Sequence, residues 1–155
     1  MVLSDDEIKQ LIEDEKPLKS ETINSINSNL KFKNQAKRWE YELISESGNK
    51  FEIKIRINDN HPYNFTVILQ YKDEKGHIYR LRRYNGKHTH QNKIENNRFR
   101  DFHIHKATQK YQENGHEIDG YAEVTNSYDN WEDAFQTMIK ECNFKLDNRP
   151  LTEFT

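Results

Sequence analysis

At 155 residues, with one cysteine and a net charge of -2, the chain is sized for a single domain with its own core. That balance excludes a globally basic nucleic-acid binder, although 24 Lys and Arg residues remain free to segregate into a local basic face. The lone Cys142 excludes an intramolecular disulfide and a cysteine-built zinc site, and it fits a reducing, cytoplasmic compartment.

Hydrophobic residues make up 33% and charged residues 32%, but the apolar ones cluster periodically, as folded chains require. The opening MVLSDDEIKQ is acidic and carries no signal-peptide pattern, and no apolar run approaches the ~20 residues of a membrane span. Ser4 and Glu7 match a capping box ahead of an Ile8, Leu11, Ile12 stripe, predicting a short helix that Pro17 ends. Residues 18–34 are polar and read as a connecting loop holding a helical turn.

From Lys37 the period becomes two. Trp39, Tyr41 and Leu43 form one half-buried strand; Phe51, Ile53, Ile55 and Ile57 form a second; Phe65, Val67, Leu69 and Tyr71 form a third. A fourth runs from about His77 to Tyr84 and ends at the turn dipeptide Asn85-Gly86, and a fifth covers Phe99 to Lys106 after an irregular basic loop. Such short connections permit only antiparallel neighbours. Residues 107–114 read as a helical turn closed by Gly115. A closing helix starts near Asp129, with Glu132 completing a second capping box, and carries Trp131, Ala134, Phe135, Met138, Ile139 and Cys142 on one stripe. The predicted fold is α+β: an antiparallel meander of about five strands, a short N-terminal helix, and a C-terminal amphipathic helix packed on the sheet. Residues 1–144 form one globular domain and 145–155 a tail.

Candidate chemistry concentrates between His77 and Thr108, which holds five of the seven histidines and two His-x-His pairs, His88/His90 and His103/His105. If Phe102 and Ile104 point into the core, His103 and His105 point together to the other face. Their Cα atoms then lie ~6.6–7 Å apart, within reach of one shared ion. His88 and His90 approach them from the loop. Imidazoles suit zinc and similar transition metals, so His88, His90, His103 and His105 are candidate metal ligands. A metal-free alternative is acid–base cleavage of RNA by His103 and His105 as catalytic residues, with an arginine on the phosphorane-like charge. The plainest alternative is a set of solvated histidines on an open sheet face. Arg80, Arg82 and Arg83 are candidate nucleic-acid or partner-binding residues, with Arg80 and Arg82 assigned to one strand face. Cys142 reads as a buried, inert thiol.

The run Arg83-Tyr84-Asn85-Gly86, then His90, Asn92, Phe102-His103-Ile104-His105, Ala107-Thr108 and Tyr111, resembles a bacterial and phage family, the domain of unknown function 6978. Gly120-Tyr121-Ala122, Thr125 and Cys142-Asn143 continue the likeness, which covers nearly the whole chain. The resemblance implies no activity, but it favours His90, Asn92, His103 and His105 over His88. The central stretch alone is also similar to small toxins of toxin–antitoxin pairs.

Two functions follow as expectations. One is a small phage or mobile-element accessory protein that inhibits a host nucleic-acid machine by binding a host protein or ribonucleoprotein complex. Such an inhibitor is anti-CRISPR-like, and a His-bound zinc ion holds its hairpin in shape. The other is a ribonuclease toxin using His103 and His105, with RNA as its partner.

Overall fold

In the computed structural model, which describes residues 2–147, the period-two stretches become the centre of a seven-stranded sheet. Strands β3 (Ala36–Ile44), β4 (Lys50–Asn58), β5 (Phe65–Lys72) and β6 (Ile78–Asn85) run as successive antiparallel hairpins. β2 (Lys31–Lys33) extends one edge against β3; β9 (His103–Lys106) and then β10 (Tyr121–Val124) extend the other beyond β6. The meander follows the predicted order, but the fifth strand is shortened to His103–Lys106, with Phe99 in a separate strand, and the sheet gains two strands of only three and four residues at its edges. Runs that short carry too few alternations to register as strands on their own.

One face of the sheet carries Phe51, Ile53, Ile55, Phe65, Val67, Leu69 and Leu81, all buried. Each such side chain contributes roughly 1.5–3 kcal/mol on leaving water. α5 (Trp131–Glu141) covers this face, laying Ala134, Phe135, Met138 and Ile139 over β5 and β6. Its N-cap is Asn130, whose side chain accepts the Asp133 N–H at 2.8 Å, one residue later than the predicted Asp129. At the other end of the chain, α1 (Asp5–Glu13) starts on the predicted Ser4–Glu7 capping box and buries Ile8 and Ile12. Among the described residues, no helix is long and apolar enough to cross a membrane.

The stretch predicted as a loop holds β1 (Lys16–Lys19) and two short helices, α2 (Ser20–Asn24) and α3 (Ile26–Asn29). β1 pairs in parallel with β11 (Phe144–Asp147), so residues 145–147 of the predicted tail belong to a strand; residues 148–155 lie outside the described residues. Where this pair meets the helix ends sits Lys16, fully buried. Its ammonium donates towards the carbonyls of Leu11, Ile12, Asp14 and Cys142 at 2.7–3.0 Å and lies 4.7 Å from the Phe51 ring centroid. These are C-terminal carbonyls of α1 and α5 that lack helical partners, and one cation satisfies both sets.

The remaining elements lie between β6 and α5. β7 (His90–Asn92) and β8 (Asn97–Phe99) form a separate two-stranded ribbon, and α4 (Gln109–Glu113) occupies the predicted helical turn, with Gly115 at φ +76° behind it. Gly86, predicted as a turn residue, serves by close approach. A Cβ there would meet the Tyr63 carbonyl oxygen at 1.8 Å.

Candidate metal centre

Strand alternation sets the site. β9 and the residue before it send Phe102 and Ile104 to the core and His103 and His105 to the opposite face, as the pattern requires. That face is covered: the β7–β8 ribbon and the 116–120 segment close over it, leaving His103 0% and His105 2% exposed. The open, solvent-facing face that the sequence allowed is absent here, because a ribbon brought back from β6 supplies the lid.

All four candidate ligands meet under it. The His103 ring centroid lies 4.8 Å from His88, 5.7 Å from His90 and 5.0 Å from His105, and His90 lies 4.5 Å from His105. Phe99 closes one side, 5.4 Å from His103 and 5.7 Å from His90. His88 and His90 are only part-buried and form the mouth.

One nitrogen of each ring is engaged from outside. His103 Nδ1 donates to the Asp101 carbonyl at 2.8 Å, and His105 Nδ1 to the Asp119 carbonyl at 2.7 Å. His90 Nε2 lies 2.9 Å from Asn92 Oδ1; that oxygen already accepts the Ala122 N–H, so it is an acceptor and the imidazole donates. His88 Nε2 contacts the Asn85 side-chain amide at 3.1 Å. These bonds leave Nε2 of His103 and His105, and Nδ1 of His90, as free lone pairs. His103 Nε2 is buried with no partner, and so is Asn85 Oδ1. Turning the Asn85 amide over would only exchange its orphaned oxygen for an orphaned nitrogen. As the rings stand, no three or more His, Cys, Asp or Glu side chains among the described residues gather around one point as a metal requires.

Burial fixes the protonation state. It pulls His103 down to about 4, aided by the nearby Arg83 guanidinium and the neighbouring imidazoles, against the Asp101 bond. His105 falls to about 2, first through burial and then through Arg83. His88 is also lowered, by burial and then by Arg83 and Arg56. Both strand histidines are therefore neutral at physiological pH, the state in which imidazole binds metals.

The ribbon is pinned by Asn92, which is 1% exposed. Its amide pairs with both backbone groups of Ala122, donating to the carbonyl and accepting from the N–H, each at 2.8 Å. Asn92 thus acts as one more rung of the sheet beside β10. Only the likeness to the family singled it out in the sequence. Asp119, 0% exposed, was not singled out at all, since its role depends on a loop closing against β9.

The three arginines are occupied. Arg83 Nε donates to Asp119 Oδ2 at 2.9 Å, and Arg80 Nη2 lies 3.2 Å from Asp119 Oδ1 and 3.1 Å from Glu117. The Arg80 contact to Asp119 is an ion pair without hydrogen-bond alignment, since Asp119 Oδ1 has no hydrogen-bond partner. Arg82 reaches Glu141 of α5 at 3.3 Å, on the core side. Arg80 and Arg82 therefore do not share a face. A bulge opposite Leu69/Gln70 inserts Leu81 and breaks the alternation.

A model of one family, described as a family of unknown function (DUF6978), matches residues 3–144. No curated protein and no solved structure matches the chain.

Proposed function

The chain belongs to this family of unknown function, and we propose that it is a metal-binding protein whose ribbon-covered histidines hold one zinc-type ion. One observation carries this reading: His103 and His105 each donate Nδ1–H to a backbone carbonyl while the opposite lone pair stays free inside a cluster of imidazoles. Outer hydrogen bonds of this kind orient metal-ligating histidines and raise their basicity. An unpartnered buried acceptor such as His103 Nε2 costs roughly 1–3 kcal/mol, which a bound cation would reverse. Gathering the donors around one ion requires His88 and His90, at the part-exposed mouth, to turn. Four nitrogen donors suit tetrahedral zinc, and three with a water suit it as well.

The role we infer is binding rather than turnover, on a host nucleic-acid machine of the kind that phage accessory proteins inhibit. Burial of His103 and His105 favours binding over RNA cleavage, because RNA cannot reach them and His105 at about 2 is no acid at neutral pH. The ion would tie the ribbon to β9 and fix the surface above it.

Cobalt substitution tests the site. Untagged protein titrated with Co²⁺ should show the intense visible bands of a tetrahedral centre, lost in His103→Gln. A spectrum no different from octahedral aqueous cobalt would refute the metal reading.

A further inference from the structure

The face that carries His103 and His105 extends across the whole sheet, and one row of it is cationic. In cross-strand register, Lys31 faces Arg38, Arg38 faces Arg56, Arg56 faces Thr66, Thr66 faces Asn85, and Asn85 faces His103. Neighbouring strands are ~4.8 Å apart, so three positive charges stand in line over ~10 Å at the β2 end of the row.

These charges are not neutralised. Among the described residues no carboxylate pairs with Lys31, Arg38 or Arg56. Arg56 Nη2 donates only to the Asn64 side chain at 3.2 Å, and Arg38 Nε only to the Lys33 carbonyl at 3.4 Å. The nearest acid along the strand, Glu40, is taken by Lys54 at 3.8 Å. Like charges directly opposite on a sheet destabilise it. Arg56 is also part-buried, and burial followed by Arg38 pulls its pKa down. The fold therefore holds a guanidinium in an unfavourable setting, oriented by Asn64, with its paired neighbour equally free. This contrasts with Arg80, Arg82 and Arg83, each held by a carboxylate.

We infer that Lys31, Arg38 and Arg56 form a binding lane for the phosphodiester backbone of single-stranded nucleic acid. Guanidinium forks match phosphate oxygens in pairs, and a charged polymer can meet successive cations where a single small anion meets one. The lane does not depend on the metal centre.

Fluorescence anisotropy with a labelled single-stranded oligoribonucleotide of mixed sequence, and with its DNA counterpart, tests the lane. The wild type should bind both. The double variant Arg38→Gln/Arg56→Gln should bind about tenfold or more weakly, with its salt dependence reduced by about 1.4 for two lost phosphate contacts. Lys75→Gln, in the hairpin at the opposite end of the sheet, should bind as the wild type does. The double variant should melt no lower than the wild type, because a like-charge pair has been removed. Should it fail to fold, Lys31→Glu on the exposed edge strand reads the same lane. Absence of binding at low salt, unchanged binding by the folded variants, or preference for a poly-glutamate peptide over the oligonucleotides would each overturn the inference.

Discussion

Two buried polar centres can be compared directly, Lys16 and His103, both 0% exposed. Lys16 is a cation with more acceptors than protons to give them: four carbonyls surround its ammonium, and an aromatic ring lies beneath it. His103 is neutral, and its Nε2 has no partner. A buried polar group with every bond made is explained by the fold that it holds together. One with a bond missing, in a cluster of similar rings, is incomplete as a structural device and calls for a ligand. The difference separates a strut from a site, although both arise from polar residues on strands.

The largest expected effect is on the strut. Lys16→Ala strips the donor from four carbonyls and should cost about 3–5 kcal/mol in urea unfolding, with metal binding intact. Lys16→Met, which restores most of the volume, should recover only the packing share. If Lys16→Ala unfolds like the wild type, the caged ammonium is not what closes α1 and α5.

The site should respond to ligand where the strut does not. Free Zn²⁺ at a hundred times its Kd should stabilise the wild type by about 2.7 kcal/mol. His103→Gln should lose that gain, and Lys16→Met should keep it. Equal stabilisation of wild type and His103→Gln would erase the distinction.

Asn92→Ala sharpens the comparison through the lid. It removes two backbone bonds to Ala122, and a loss of about 1–3 kcal/mol in metal-free protein is expected, together with weaker zinc binding. Zinc affinity unchanged in this variant would mean that the ribbon is positioned by something other than Asn92.

Acid should reveal the two neutral imidazoles. Both His103 and His105 sit below the ordinary 6.5, at about 4 and about 2. Between those values and 6.5 the unfolded chain binds more protons than the folded one, so stability falls as pH drops through this window and is fully present above it. Each residue contributes about 1.4 kcal/mol per pH unit there. Unfolding of metal-free protein between pH 6.5 and 4 checks this, and His105→Gln should lessen the slope. A flat profile would place these rings in water.

The sequence made the site's ingredients legible and left its enclosure unread. Period-two alternation assigned His103 and His105 to one face, and the capping box found α1, because both signals are local. The β7–β8 ribbon is two strands of three residues, and the β1–β11 pair joins segments over a hundred residues apart, so neither leaves a periodic trace. Without the ribbon the histidines look solvent-facing. The Leu81 bulge escaped notice for a related reason: one inserted residue is invisible until the partner strand fixes the register. Arg38 and Arg56 drew no attention because they are far apart in sequence and meet only as cross-strand partners.

The metal centre requires His103 and its neighbours to be ligands. Native mass spectrometry of untagged protein, expressed with zinc in the medium and purified without chelator, measures this directly. One metal ion per chain, absent from His103→Gln/His105→Gln, is the predicted result. A folded wild-type chain at its bare mass, unchanged after zinc is added, would contradict it.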